Sequence, residues 1–291
     1  MIFFTKMQGT GNDFIVIDTV KQEFAYTYSK LAEYLCNRKF GVGADGVIFI
    51  ENSEVADSKM RIFNQDGTEA EMCGNGIRCM SKYLYEKDIV KKDKMQIETL
   101  AGIKDIELII ENKTVIGTKV DMGSPIFEYN KIPVIFPNIM KKDLENLELN
   151  INNYKVYVYP ISMGNPHAIC FTNNVDEINI EDIGKKIENY KYFPNKTNVE
   201  FVQIVNKGNI KMRVWERGVG ETLGCGTGAC AAGIVSYWKK STNREVIVDL
   251  PGGKLKIVYF EKENKVKLIG DSKFIFEGKI DVWTCYWNKY I

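Results

Sequence analysis

The chain has 291 residues, 45% of them hydrophobic and 26% charged, a globular composition with length enough for two domains of common size. Its formal net charge of +1 gives no general attraction to nucleic acid or to an anionic membrane. The N-terminus, MIFFTKMQGTGNDF, lacks the sustained apolar core of a signal peptide, and no apolar run approaches the roughly 18 residues of a membrane span.

Alternating and β-branched runs predict strands at DFIVID, GVIFI, MRIFN, MQIET and IELII in the first half. KVYVYPI, HAICF, VEFVQIV, KMRVWE, EVIVDL and KLKIVYF do the same in the second half. Helical spacing of apolar residues predicts helices near 29–39, 75–87, 181–191 and 227–239. GVGADG (41–46) has the letters of a dinucleotide fingerprint, but a helical stripe (Leu31, Tyr34, Leu35) precedes it and the strand VIFI follows. That order is the reverse of what a pyrophosphate site needs, so a tight glycine turn is expected instead. Seven widely spaced cysteines fit a reducing cytoplasm better than a disulfide framework. The close pairs Cys73/Cys79 and Cys225/Cys230 do not have zinc spacing, and His167 is the sole histidine, so no metal site is expected.

The chain repeats itself. MRIFNQDGTEAEMCGNG from Met60 aligns without a gap on MRVWERGVGETLGCGTG from Met212, a shift of 152 positions. Arg61/Arg213, Glu69/Glu221, Cys73/Cys225, Gly74/Gly226 and Gly76/Gly228 are identical pairs. The shift carries Leu31/Leu35 onto Ile183/Ile187 and VIFI onto VEFV. Further upstream it slips by one, placing Asn12 on Asn165. Two homologous α+β domains follow, each a mostly antiparallel sheet wrapped around a central helix, with a boundary near DMGSPIFEYNKIP (121–133).

Each repeat opens a helix with a glycine-flanked cysteine, Cys73 or Cys225. A thiol there meets unpaired backbone N–H groups, which favour thiolate, and the same donors suit a carboxylate. Two such thiols across an interdomain cleft could invert a stereocentre, one removing the α-proton from one face and the other delivering a proton to the opposite face. The donors would stabilise the charge that builds on the α-carboxylate, and water exclusion would supply much of the rest. No electron sink of the pyridoxal type is evident, so cofactor-free catalysis is expected.

GTGNDF (9–14), FNQDG (63–67), CGNG (73–76), GNPH (164–167), WERGVGET (215–222) and CGTGAC (225–230) together resemble the diaminopimelate epimerase family across essentially the whole chain. The resemblance implies cofactor-independent interconversion of LL- and meso-diaminopimelate, a step of lysine and peptidoglycan precursor biosynthesis, with Cys73 and Cys225 as the base/acid pair. It implies that His167 and Glu216 set the protonation of those cysteines. It also implies substrate contacts from Asn12, Asn64, Asn165 and Asn198, a backbone cradle of Gly74, Asn75, Gly226 and Thr227, and a distal charge pair in Glu216–Arg217. The family's last strand returns to its first domain. The expected domains are therefore 1–122 plus 274–291, carrying Cys73, and 123–273, carrying Cys225. Gly224 and Gln8 stand where the family often has alanine and histidine, and neither touches the chemistry.

The implied partner is the small-molecule amino acid, with no nucleic acid and no membrane, in the cytoplasm; a homodimer is compatible with this reading. Two alternatives remain: a same-fold racemase of another amino acid, and a non-catalytic amino-acid-binding protein. The turn CGNG rather than CGHG disfavours proline-racemase relatives, and a binding protein has no need of two opposed thiols.

Overall fold

A computed structural model describes residues 1–22, 26–135 and 146–281. The chain divides into two compact units, Met1–Val120 with the chain from Gly270 on, and Asp121–Ile269. The C-terminal extension TCYWNKYI (284–291) lies outside the described residues.

In the first unit the elements run β1 (Ile2–Gly9), β2 (Asn12–Asp18), α1 (Tyr28–Cys36), β3 (Gly46–Glu51), β4 (Ser58–Asn64), β5 (Glu69–Ala70), α2 (Gly74–Glu86), β6 (Lys94–Thr99), β7 (Gly102–Glu111) and β8 (Thr114–Asp121). The second continues with β9 (Leu147–Ile151), β10 (Tyr154–Ser162), β11 (Pro166–Phe171), α3 (Ile180–Glu188), β12 (Asn198–Asn206), β13 (Asn209–Glu216), β14 (Gly220–Thr222), α4 (Gly226–Trp238), β15 (Glu245–Leu250), β16 (Gly253–Phe260) and β17 (Lys265–Gly270). The last strand, β18 (Lys273–Ile280), returns to pair antiparallel with β1, Ile2 opposite Ile280.

Within each unit the strands pair antiparallel except at two places. In the first unit β2/β3 and β4/β6 are parallel; in the second the equivalent pairs β11/β12 and β13/β15 are. The repeat is kept to the residue at the helices. Tyr28 and Ile180 open nine-residue helices, and Gly74 and Gly226 open thirteen-residue helices, each pair 152 positions apart.

Strand alternation sorts the two faces of each sheet. In β12, Val199 and Phe201 pack with Ile180 and Ile187 of α3, whereas Val202 packs with Ala229, Ile234 and Val235 of α4. Because α4 is surrounded by sheet, it has no polar stripe: GTGACAAGIVS is small or apolar almost throughout. Small residues are required by the close approach of strands, since a Cβ on Gly233 would lie 3.1 Å from Val246 and 3.2 Å from Ile257. Each Ile, Leu or Val closed into this core contributes roughly 1.5–3 kcal/mol.

GVGADG is a turn, as its position after a helix and before a strand requires. Residue 41 leaves no room for a side chain, because a Cβ on Gly41 would fall 2.1 Å from the Tyr34 carbonyl oxygen. The described cysteines other than Cys73 and Cys225 (Cys36, Cys79, Cys170 and Cys230) are buried core residues. Burial pushes the thiols of Cys36 and Cys79 up to about 12 and that of Cys170 up to about 11, leaving them inert. No helix among the described residues is long and apolar enough to cross a membrane.

Candidate active site

In the first unit the cysteine is the N-cap of α2. Cys73 has extended backbone, and its sulfur accepts the Gly76 N–H at 3.4 Å. Beneath this turn lies an apolar floor: a Cβ on Gly76 would meet Ile62 at 3.0 Å and Ile48 at 3.2 Å. Beside it, the side chain of Asn75 donates to Asn12 Oδ1. Asn12 is delivered by the β1–β2 turn, where Thr10 and Gly11 both take positive φ (52° and 85°) and Gly9 pairs with Asn12. Its amide is held from behind, since Asn12 Nδ2 donates to Asp45 Oδ2 at 3.2 Å and Arg38 donates to Asp45 Oδ1 at 2.8 Å. Arg38 also grips Asp13. Burial alone would raise the Asp13 carboxyl, but hydrogen bonds from Arg38 and Lys6 outweigh it and bring it down to about 2. Asn64 ends β4 opposite Gly46, and its amide donates to Thr68 Oγ1 at 3.0 Å.

Arg78 supports the same turn from inside. Fully buried, it donates to the Gly74 carbonyl (2.9 Å), to Thr10 Oγ1 (2.6 Å) and to the Asp271 carbonyl (3.2 Å), tying the first turn of α2 to the β1–β2 turn.

The second unit repeats the cap. Cys225 precedes α4 with extended backbone, and its sulfur accepts the Gly228 N–H at 3.4 Å. The register of β11, β12 and β13 then collects the polar residues at one end of the sheet. His167 faces Asn198 across the parallel pair, and Glu216 lies one step beyond the Val199–Trp215 pair. Asn198 donates to the Pro166 carbonyl and accepts the Arg217 N–H, both at 2.9 Å. The Glu216 carboxylate accepts from the Thr222 hydroxyl and from the Cys225 thiol. Burial raises the Glu216 carboxyl, and the nearby Glu200 charge adds to it.

The thiolate expectation is corrected at Cys225. Burial first, and then the charges of Glu216 and Glu200, push this thiol well above the ordinary cysteine range, against the Thr227 hydroxyl and the Gly228 N–H. Desolvation and two carboxylates outweigh a helix N-terminus, so Cys225 rests as S–H.

Glu216 and Arg217, expected as a pair, diverge. Glu216 is turned to Cys225, while Arg217 is exposed and its guanidinium reaches only the Asn195 carbonyl, at 3.4 Å. Among the described residues no carboxylate forms an ion pair with it.

Glu200 is the residue that sequence reasoning passes over. It is fully buried in β12, with Oε1 2.6 Å from His167 Nδ1. A Cβ on Gly228 would fall 2.5 Å from the same Oε1, so the helix turn carrying Cys225 is glycine because a carboxylate sits beneath it. Gly228→Ala should therefore cost stability and displace Glu200, lowering the melting temperature by several degrees, as for an overpacked core site of about 1–3 kcal/mol. A thermal melt of the variant beside Gly76→Ala, where flexible Ile side chains can yield, checks this.

The family model for diaminopimelate epimerase matches residues 4–128 and 159–275. The chain belongs to the diaminopimelate epimerase family. It is 46% identical over 279 residues to the diaminopimelate epimerase of Methanococcus maripaludis strain C5, covering 96% of this chain and 99% of that one. It is 47% identical over 279 residues to that of Caldanaerobacter subterraneus subsp. tengcongensis, with the same coverage. Solved structures share the diaminopimelate epimerase fold at low identity. A phenazine biosynthesis protein from Bacillus anthracis superposes with a TM-score of 0.70 at 18% identity, covering 97% of this chain and 99% of that one. A probable proline racemase from Agrobacterium radiobacter K84 gives 0.70 at 13%, covering 97% and 93%. At those identities the likeness is one of fold.

Proposed function

We infer that this chain epimerises LL-diaminopimelate and meso-diaminopimelate at one α-carbon, without pyridoxal phosphate or metal. One observation carries this reading: two glycine-flanked cysteines cap equivalent helices in a chain 46% identical, over 96% of its length, to a diaminopimelate epimerase.

The proton inventory sets the roles. Cys225 enters as S–H, its proton directed at Glu216, so it is the acid in the first half of the cycle and Cys73 is the base. Cys73 takes the α-proton from one face as the Cα–H electron pair moves into the carboxylate. Cys225 gives its proton to the opposite face as that pair returns to Cα. The product leaves with Cys73 protonated and Cys225 as thiolate, which is the form that takes the reverse reaction. The glycine-rich helix starts at Gly74–Asn75 and Gly226–Thr227 supply backbone N–H donors for the charge on the α-carboxylate, where donors are worth most in a dry site. Asn12, Asn64, Asn165 and Asn198 orient the α-substituents, and Arg217 takes the distal carboxylate. His167 and Glu216 tune Cys225. The six described cysteines are all free thiols, in keeping with a cytoplasmic enzyme, and the reading needs no partner beyond the substrate.

Deuterium wash-in tests the reading. In heavy water LL-diaminopimelate should gain deuterium at one Cα while meso product appears, and lysine, glutamate, histidine and proline should not exchange. Exchange of one of those instead would move the chain to a same-fold racemase. No exchange in any would leave an amino-acid-binding protein.

A further inference from the structure

The catalytic scheme leaves Glu200 without a task, yet the carboxylate is expensive to keep. Both it and His167 are at 0% exposure, and Glu200 Oε2 has no hydrogen-bond partner among the described residues. A buried carboxylate persists only where it is compensated, and the compensating group here is the imidazole. The first unit shows that the fold does not require a carboxylate at this place, because Ile48 holds the equivalent position beneath Gly76.

Contacts lead from Glu200 to the thiol without a break. Glu200 Oε1 is 2.6 Å from His167 Nδ1, and His167 Nε2 is 2.9 Å from Asn165 Oδ1. Asn165 Nδ2 is 3.4 Å from Thr227 Oγ1, which is 3.4 Å from Cys225 Sγ. Both ring nitrogens of His167 thus face oxygens that accept. A neutral imidazole has one N–H and can serve only one of them. If Nε2 were bare, the Asn165 amide would have to turn its NH2 inward and present oxygen at the Thr227 end, where a substrate carboxylate is repelled.

We propose that Glu200 is a positioning residue: it holds His167 protonated at both ring nitrogens, and so turns the Asn165 amide with its Nδ2 donor towards Thr227 and the substrate carboxylate. The charged and titratable groups that act on the ring are Glu200 on β12, in direct contact, and Glu216 on β13; Cys225 on α4 joins it only through Asn165 and Thr227. The proposal rests on the reading that Asn165 binds the substrate.

Because His167 is the sole histidine, selective 15N-histidine labelling gives a single imidazole to observe, and the spectrum is recorded without substrate. At neutral pH the wild-type ring should show both nitrogens protonated, and Glu200→Gln should show one bare. Glu200→Ile, which copies the first unit's own residue, should do the same and guards against a folding failure peculiar to glutamine. In folded Glu200→Gln the KM for LL-diaminopimelate should rise about tenfold, the worth of one charge-assisted hydrogen bond, with kcat changed less than about threefold. A purely structural role would lower the active fraction and leave KM alone. A bare nitrogen in the wild-type ring, or an unchanged KM in a folded variant, overturns the proposal. Absence of turnover by the wild-type chain would strike the proposed function alone, since the labelled spectrum does not depend on it.

Discussion

Cys73→Ala and Cys225→Ala should each lower epimerisation by about 10²–10⁴-fold, the range spanned by a positioned acid or base. In the proposed mechanism each face of the α-carbon has its own proton carrier, and neither thiol can stand in for the other. The losses should not come from unfolding. The sulfur-to-N–H caps, at 3.4 Å, are weak, and alanine fits both sites, so the melting temperatures should stay within a few degrees of the parent. The single-thiol variants carry a second signature. Cys225→Ala keeps Cys73 as a base, so the stereoisomer whose α-proton faces Cys73 should still exchange in heavy water, with retention; Cys73→Ala leaves only Cys225, which rests as S–H, and should exchange far less. Steady-state assays of both isomers with mass analysis of recovered substrate read all of this. Near wild-type inversion by either variant would remove the two-thiol assignment.

Arg217→Ala should act on binding rather than chemistry. The backbone N–H of Arg217 is fixed on Asn198 Oδ1 at 2.9 Å, while the guanidinium has a single long contact to a carbonyl, which leaves its fork open for a carboxylate. Truncating one partner of a desolvated charge pair costs about 2 kcal/mol at the low end, or roughly 30-fold in KM. The kcat should change only severalfold, because the distal end of the substrate does not react. Arg217→Lys should recover part of the loss and no more, since an ammonium cannot bind a carboxylate in two places. An unchanged KM for diaminopimelate would take Arg217 out of the site.

The helices and their caps could be read from the repeat because a duplicated chain marks its own equivalent positions: Tyr28 and Ile180, then Gly74 and Gly226, begin helices 152 positions apart. What escaped the sequence depended on neighbours distant in the chain. VEFV reads as an apolar strand, and nothing local distinguishes its glutamate from an edge or solvent-facing one. Only the parallel register of β11 and β12 brings His167 beside it. The charge state of Cys225 escaped for the same reason, since the helix N-terminus is local while Glu200 and Glu216 arrive from two other strands. Glu216 and Arg217 looked like a pair because they are adjacent. Adjacency in the chain did not give them shared partners: Glu216 ends β13 and accepts from Thr222, while Arg217 lies past the strand end and reaches Asn195.

The return of β18 to β1 sets an order of events during translation. The second unit is contiguous, and a ribosome that has passed Ile269 has already joined every residue it needs. The first unit is not. Its strand β1 emerges first but keeps one open edge, a site for mispairing with other nascent chains, until residues 273–280 are made. The thiol nearer the start of the gene, Cys73, therefore belongs to the unit that is completed last.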